Sequence, residues 1–202
     1  MSQWQTSMKL AVASGDISSA KSFAQETGGI VFASTSKATD HLPFAALVVG
    51  ATDDLDSAME AGDAGVFLVC ERTIKNKSLS ELDTSELPGS VGLFPMVAHP
   101  VHGAKASDAH WRDDHAPLAL EIHVLMTHYY QLAIQHRFTG PEWNGIAICC
   151  CATEDDLRNR FYNSEEGERR IIEDIRKFAD TKRSARRVIA DAGRFSKAVR
   201  SG

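Results

Sequence analysis

VGLFPMVA (91–98), LMTHYYQLAIQHR (125–137) and NGIAICCCA (144–152), with a helical stretch over 108–124 between the first two, decide how this chain reads. The three apolar runs are short, rich in β-branched, aromatic and other bulky residues, and bounded by turn formers, as strands are. Downstream, Asp155 to Tyr162 predicts a short helix and 165–179 a longer one. In the longer one Ile171, Ile172, Ile175 and Phe178 make the apolar face, and Ser164 is the cap. RRVIAD (186–191) supplies a last strand. The order β-α-β-β-α-β around a central hairpin predicts a ferredoxin-like unit. Helices cover one face of its sheet, so the other face has to be buried by a second sheet.

Outward from there, FAALVVGATDDL (44–55) resembles GIAICCCATEDDL (145–157). Each is an apolar run followed by Ala-Thr, an acidic pair and Leu. That pattern reads as a buried strand ending at a helix N-cap, with Thr52 and Thr153 as the caps. The two copies are half of the 202-residue chain apart, which predicts related halves. The expected fold class is α+β: tandem ferredoxin-like units packed sheet to sheet as an α+β barrel. Residues 1–78 form a degenerate unit, 79–90 a linker within the polar, turn-rich stretch 73–90, and 91–202 the clearer unit. In the first half GGIVFAS (28–34), PFAALVVGA (43–51) and GVFLVCE (65–71) read as strands, and helices fit near 16–26 and 53–61. Residues 1–14 are ambiguous, with MKLAVA offering one short strand.

Composition narrows the function. Hydrophobic residues are 43% and charged residues 24%, as in a globular protein. Lys and Arg number 22 against 27 Asp and Glu, a net charge of −5, which argues against a nucleic-acid partner and a polybasic membrane patch. The N-terminal segment lacks the apolar length and basic character of a signal peptide, and no apolar run is long enough to span a bilayer. The four Cys, at 70, 149, 150 and 151, fit neither a disulfide framework nor zinc-ribbon spacing. Adjacent residues on a strand face opposite ways, so the triplet reads as small buried hydrophobes. Such usage suits a reducing compartment, and the expected location is the cytoplasm.

Seven of the eight His lie between 99 and 136. Trp111, His115, Leu118 and Ile122 share one helical face, which aims His115 at the sheet. His110, Asp114 and Glu121 lie on a more polar flank. Pro117 predicts a kink or restart, with carbonyls left needing partners. A His on an apolar face is commonly a packing residue; the functional reading is a general base at the mouth of an apolar cavity. On the strand, His128, Tyr130, Leu132 and Ile134 alternate with Tyr129, Gln131, Ala133 and Gln135, and Met126 falls with the first set. Pattern alone does not say which set faces the helices. Either Tyr129 or Tyr130 offers a phenol near His115. His99 and His102 with a later ligand are the one metal option, and no HExxH, Gly-rich phosphate loop or GxSxG is present.

HWRDDHAPLA (110–119) resembles the EthD family, whose signature includes His-Trp, three residues, then His-Ala-Pro-Leu. LMTHYYQL (125–132), NSEEG (163–167) and the Asp174, Phe178, Asp180 spacing agree in family order, so the resemblance runs from 91 to about 192. The lead-in HPVHGAKASDAH departs from it by lacking the family's Glu-Phe. The resemblance implies a dimeric α+β barrel with a pocket between two sheets, the first half here contributing wall. It also implies a cofactor-independent lyase of dehydratase or decarboxylase type acting on a small aromatic or hydrophobic compound. A non-catalytic hydrophobic-ligand-binding or stress-related barrel, and a haem- or metal-handling barrel, are the alternatives. His115 and His110 carry over as pocket residues, with Tyr130 as the third catalytic candidate. Trp111, Tyr129, His128 and His99 are the expected pocket lining. No cofactor and no metal is expected. The partners expected are the small molecule and a second copy of the chain, or a monomeric tandem barrel in its place.

Overall fold

A computed structural model describes residues 4–50 and 54–197. Eight strands alternate with helices: β1 (Gln5–Ser14), β2 (Gly29–Ser34), β3 (Ala46–Gly50), β4 (Gly65–Lys75), β5 (Ser90–Met96), β6 (Met126–Thr139), β7 (Gly145–Cys151) and β8 (Val188–Phe195). Helices α1 (Ile17–Thr27) and α2 (Leu55–Ala61) belong to the first half. In the second half α3 (Gly103–His110), a π-helical turn (Trp111–His115) and α4 (Ala116–Ile122) run on as one rod, followed by α5 (Glu154–Asn159) and α6 (Glu165–Phe178).

The strands close into one antiparallel barrel in the order β1-β3-β2-β8-β5-β7-β6-β4. The sequence β4-β1-β3-β2 is matched by β8-β5-β7-β6, so the pairing order of the first half recurs in the second. The halves join edge to edge through β2–β8 and β4–β6. Closure leaves no free sheet edge. The ambiguous N-terminus forms a ten-residue strand: its first half is polar because Gln5 to Lys9 lie at the barrel's end, and burial begins only at Leu10. The start of the turn-rich stretch 73–90 joins β4, which runs on to Lys75. The rest contains two short 3-10 turns, Leu79–Glu81 and Thr84–Glu86. Thr153 and Ser164 cap α5 and α6 as the sequence predicts, while α2 is capped by Asp54; the expected cap Thr52 lies outside the described residues.

The barrel interior is filled. Phe32, Phe44, Phe67, Leu93, Tyr130, Leu132, Trp143 and Ile148 pack there with smaller residues. Trp143 plugs one end, edge-on to Phe44 and stacked on Phe67 with centroids 5.8 and 5.7 Å away. Leu79 and Leu82, from the segment after β4, close the other end. Outside, α1 and α2 cover β1–β3, and the rod and α6 cover β5–β7. The Cys triplet alternates as expected: Cys149 meets the helices, Cys150 the interior.

Where β4 begins and β6 ends, Gly65 and Gly140 both take positive φ. A Cβ on Gly140 would lie 2.5 Å from Gly65 Cα and 2.8 Å from Ala64 O. Neither atom is a side chain that can turn away. Gly140→Ala should therefore destabilise by about 2 kcal/mol in urea unfolding; an unchanged midpoint would refute this account of the closure.

Candidate active site

Pro117 has no N–H to give the preceding turn, and the rod answers by widening rather than breaking. In the π-turn the N–H of Ala116 reaches the carbonyl of Trp111, five residues back. The carbonyl that Pro117 leaves free in this register, Arg112 O, accepts from Trp4 Nε1 at 3.2 Å, and Trp111 O accepts a second bond from Gln131 Nε2 at 2.8 Å. The expected restart at Pro117 is thus a π-turn within an unbroken rod.

That turn decides what the histidines do. At 3.6 residues per turn, positions five apart diverge by about 140°. Here His110 and His115 reach the same carboxylate. His110 Nε2 lies 2.9 Å from Asp174 Oδ1, and His115 Nδ1 lies 2.9 Å from Asp174 Oδ2. Lys177 Nζ adds a contact to Oδ1 at 3.3 Å, and Asp114 approaches His110 Nδ1 at 3.4 Å. Asp174 is 5% exposed. Burial opposes its ionisation, but the hydrogen bonds and charges of His115 and His110 together outweigh that and hold its carboxyl well below the usual carboxylate range. Phe178 packs against both imidazoles.

Beside this clamp lies a cavity of about 280 Å³ between the helices and the outer face of the sheet. Phe94, Phe161, Tyr162 and Phe178 supply aromatic wall; Tyr129, Ala147 and Cys149 supply the strand side; His115 and His123 supply imidazoles. His115 Nε2 makes no hydrogen bond among the described residues, and its ring lines this space. With Asp174 ionised, the neutral imidazole carries its proton on Nδ1, which leaves the Nε2 lone pair for a ligand. His123 is held likewise: Nδ1 donates to Phe161 O at 2.8 Å, and burial pushes its pKa down to about 4. Gln131 Nε2 donates to the Tyr129 hydroxyl at 3.2 Å, and Gln131 is gripped in turn by Arg72, which pairs with Asp108 at 2.7 Å. Burial pushes the Tyr129 phenol and the Cys149 thiol well above their usual values.

Several expectations are corrected. The cavity does not lie between two sheets, because side chains fill the barrel; all its lining residues fall between 94 and 185, so the first half contributes no wall. Tyr130 is not a partner of His115. It is on the interior face, donating to Lys77 O at 2.9 Å, whereas Tyr129 faces the helices. His128 shares the interior face with Tyr130, 6.3 Å from its ring. Met126, assigned to that same face by alternation, packs with the helices instead, because the strand register shifts between Met126 and His128. His99 stacks on His102 at the start of the rod, outside the cavity lining. Trp111 is buried beneath the rod against Met96, Ala133 and Phe178. Of the predicted residues, His115 and Tyr129 line the cavity, and His110 and Trp111 act behind it. Sequence reasoning did not place Asp174, His123, Phe161 or Ile175 at the site. The Asp174 spacing within the family-like ending was the available signal. Among the described residues no group of three or more His, Cys, Asp or Glu is placed to hold a metal ion. No helix among them is long and apolar enough to cross a membrane.

Residues 103–182, which include the rod, β6, β7 and the clamp, match the EthD domain family. No curated protein matches the sequence. Among solved structures, an anthrone oxidase-like protein aligns over 99% of this chain and 97% of its own, with a TM-score of 0.50 and 9% identity. A "putative monooxygenase from Lactobacillus acidophilus NCFM" aligns over 96% and 97%, with a TM-score of 0.44 and 9% identity. At that identity the first of these is a likeness of fold.

The His123 geometry sets a pH dependence. Its folded pKa, about 4, lies below the ordinary 6.5, so the unfolded chain binds that proton first as pH falls. The stability it contributes is whole above 6.5 and is lost as pH falls to about 4. Urea midpoints should fall more steeply across that window for the native protein than for His123→Gln; equal slopes would contradict the burial.

Proposed function

From the EthD domain over 103–182, we propose that this chain is an enzyme in which His115 takes a proton from a small aromatic or hydrophobic compound. One observation carries the reading: the 2.9 Å pair of His115 Nδ1 with buried Asp174, set in the wall of an otherwise largely apolar cavity. Asp174 fixes the ring and its tautomer, and its charge stabilises the imidazolium formed when Nε2 accepts a proton. His110 holds the other carboxylate oxygen and so acts as a positioning residue. A cavity of about 280 Å³ suits a compound of one or two rings, stacked among Phe94, Phe161 and Phe178.

Proton removal from an acidic C–H opens dehydration, the expelled hydroxide leaving with the proton as water. In a phenolic acid the same imidazole can take the O–H proton and return it to the ring carbon from which CO2 leaves. Oxidation of the anion, the class named by the anthrone oxidase-like protein of similar fold, would need dioxygen as the electron acceptor. The lyase reading is kept as the main one. The purely binding alternative expects a cavity without a polar pair, and the clamp counts against it. The recurring order β4-β1-β3-β2 and β8-β5-β7-β6 supports reading the halves as tandem ferredoxin-like units. One copy then closes the barrel by itself and supplies the whole cavity, so this reading needs no second chain. Four free thiols support a reducing, cytoplasmic setting.

A panel of phenols, hydroxylated naphthalenes and their carboxylated forms, screened by thermal shift, should yield a ligand and then a turned-over substrate. His115→Gln should lower kcat by roughly 10²–10⁴-fold while leaving KM within a few-fold. Full activity in that variant would overturn the assignment.

A further inference from the structure

The barrel end closed by Leu79 and Leu82 holds a second cavity, of about 270 Å³, which shares no lining residue with the His115 cavity. Its floor is apolar, formed by Ile30, Val49 and Leu79. Its charged lining is cationic, with Lys9, Arg194 and Lys197, and among the described residues no carboxylate side chain lines it. Strand register explains why. Lys9 lies opposite Val69 and Arg194 opposite Ile30, and both Val69 and Ile30 belong to the interior core. Directly opposed residues share a face, so both cations turn inward at the open rim of the barrel.

Neither forms an ion pair among the described residues. Arg194 donates through Nη2 to Leu79 O, but its Nε is buried without any hydrogen-bond partner. Its Nη1 makes no hydrogen bond among the described residues, which leaves a charged donor for a ligand acceptor. Glu71 is tied to Leu79 rather than to either cation. Its Oε1 accepts the Leu79 N–H, and it is outside the lining.

We propose that this rim is a binding site for a small organic carboxylate, its anionic group between Arg194 and Lys9 and its apolar body on Ile30, Val49 and Leu79. A guanidinium with Nη1 unbonded matches a carboxylate oxygen, and the ammonium supplies the second charge. A bare inorganic anion would use the charges and leave the apolar floor wet.

The test is a titration of the full chain with benzoate, and separately with inorganic phosphate, followed by amide NMR. Benzoate should saturate at millimolar concentration or below, with shifts centred on 28–30, 49–50, 79–80 and 194–197. Phosphate should bind at least about ten-fold more weakly, and Arg194→Gln and Lys9→Gln should each weaken benzoate about ten-fold. Lys9 is half-buried at the rim, so its variant stands if Arg194→Gln disturbs folding. Unsaturable shifts, shifts centred on the His115 cavity, phosphate binding as tight as benzoate, or unchanged affinity in Lys9→Gln would each overturn the proposal. None of these outcomes bears on proton transfer by His115.

Discussion

Asp174 binds two imidazoles presented by one helical rod, and the layer that covers β5–β7 is organised around that contact. A carboxylate this buried is tolerated only when its charge is met by donors. His110, His115 and Lys177 meet it from two different elements. The contact therefore ties α6 to the rod at a fixed depth, with Phe178 wedged against both rings. The cavity is the space left where these helices part over the sheet, toward Phe161 and Tyr162. The histidine that anchors the layer is also the one whose remaining nitrogen faces that space.

The second constraint is volume. Aromatic and aliphatic side chains fill the barrel from Trp143 at one end to Leu82 at the other, and interiors packed this way leave no room for a ligand. Chemistry is displaced to the outer face of the second half and to the rim, where Lys9 and Arg194 turn inward. The alternation of β6 sorts the two tyrosines accordingly: Tyr130 packs the interior, and Tyr129 joins the Trp111–Gln131–Arg72 network under the rod. A shift of one residue in that strand would exchange them.

The β-α-β-β-α-β order of the second half, the matching motifs before α2 and α5, and the caps Thr153 and Ser164 were legible because each rests on local chemistry. Apolar runs, turn formers and N-cap residues act over a few positions. His115 facing the sheet was legible from its spacing with Trp111 and Ile122. Three things were not. A 3.6-residue period cannot anticipate a π-turn, and Pro117 signalled trouble without saying that the rod would widen to bring His110 onto Asp174. The face of β6 that meets the helices depends on pairing with β4 and β7, and the register shift beside Met126 falls outside any strict alternation. Whether a barrel is hollow or filled depends on side chains from all eight strands at once, which no single segment reports.

The account stands most directly on the tautomer of His115. Long-range ¹H–¹⁵N NMR of the imidazoles reads it without any substrate. The prediction is that the neutral form of His115 carries its proton on Nδ1, with an Nε2 resonance typical of a bare ring nitrogen that moves when an aromatic ligand is added. A proton on Nε2 in the neutral ring, or an Nε2 signal indifferent to every cavity ligand, would contradict it.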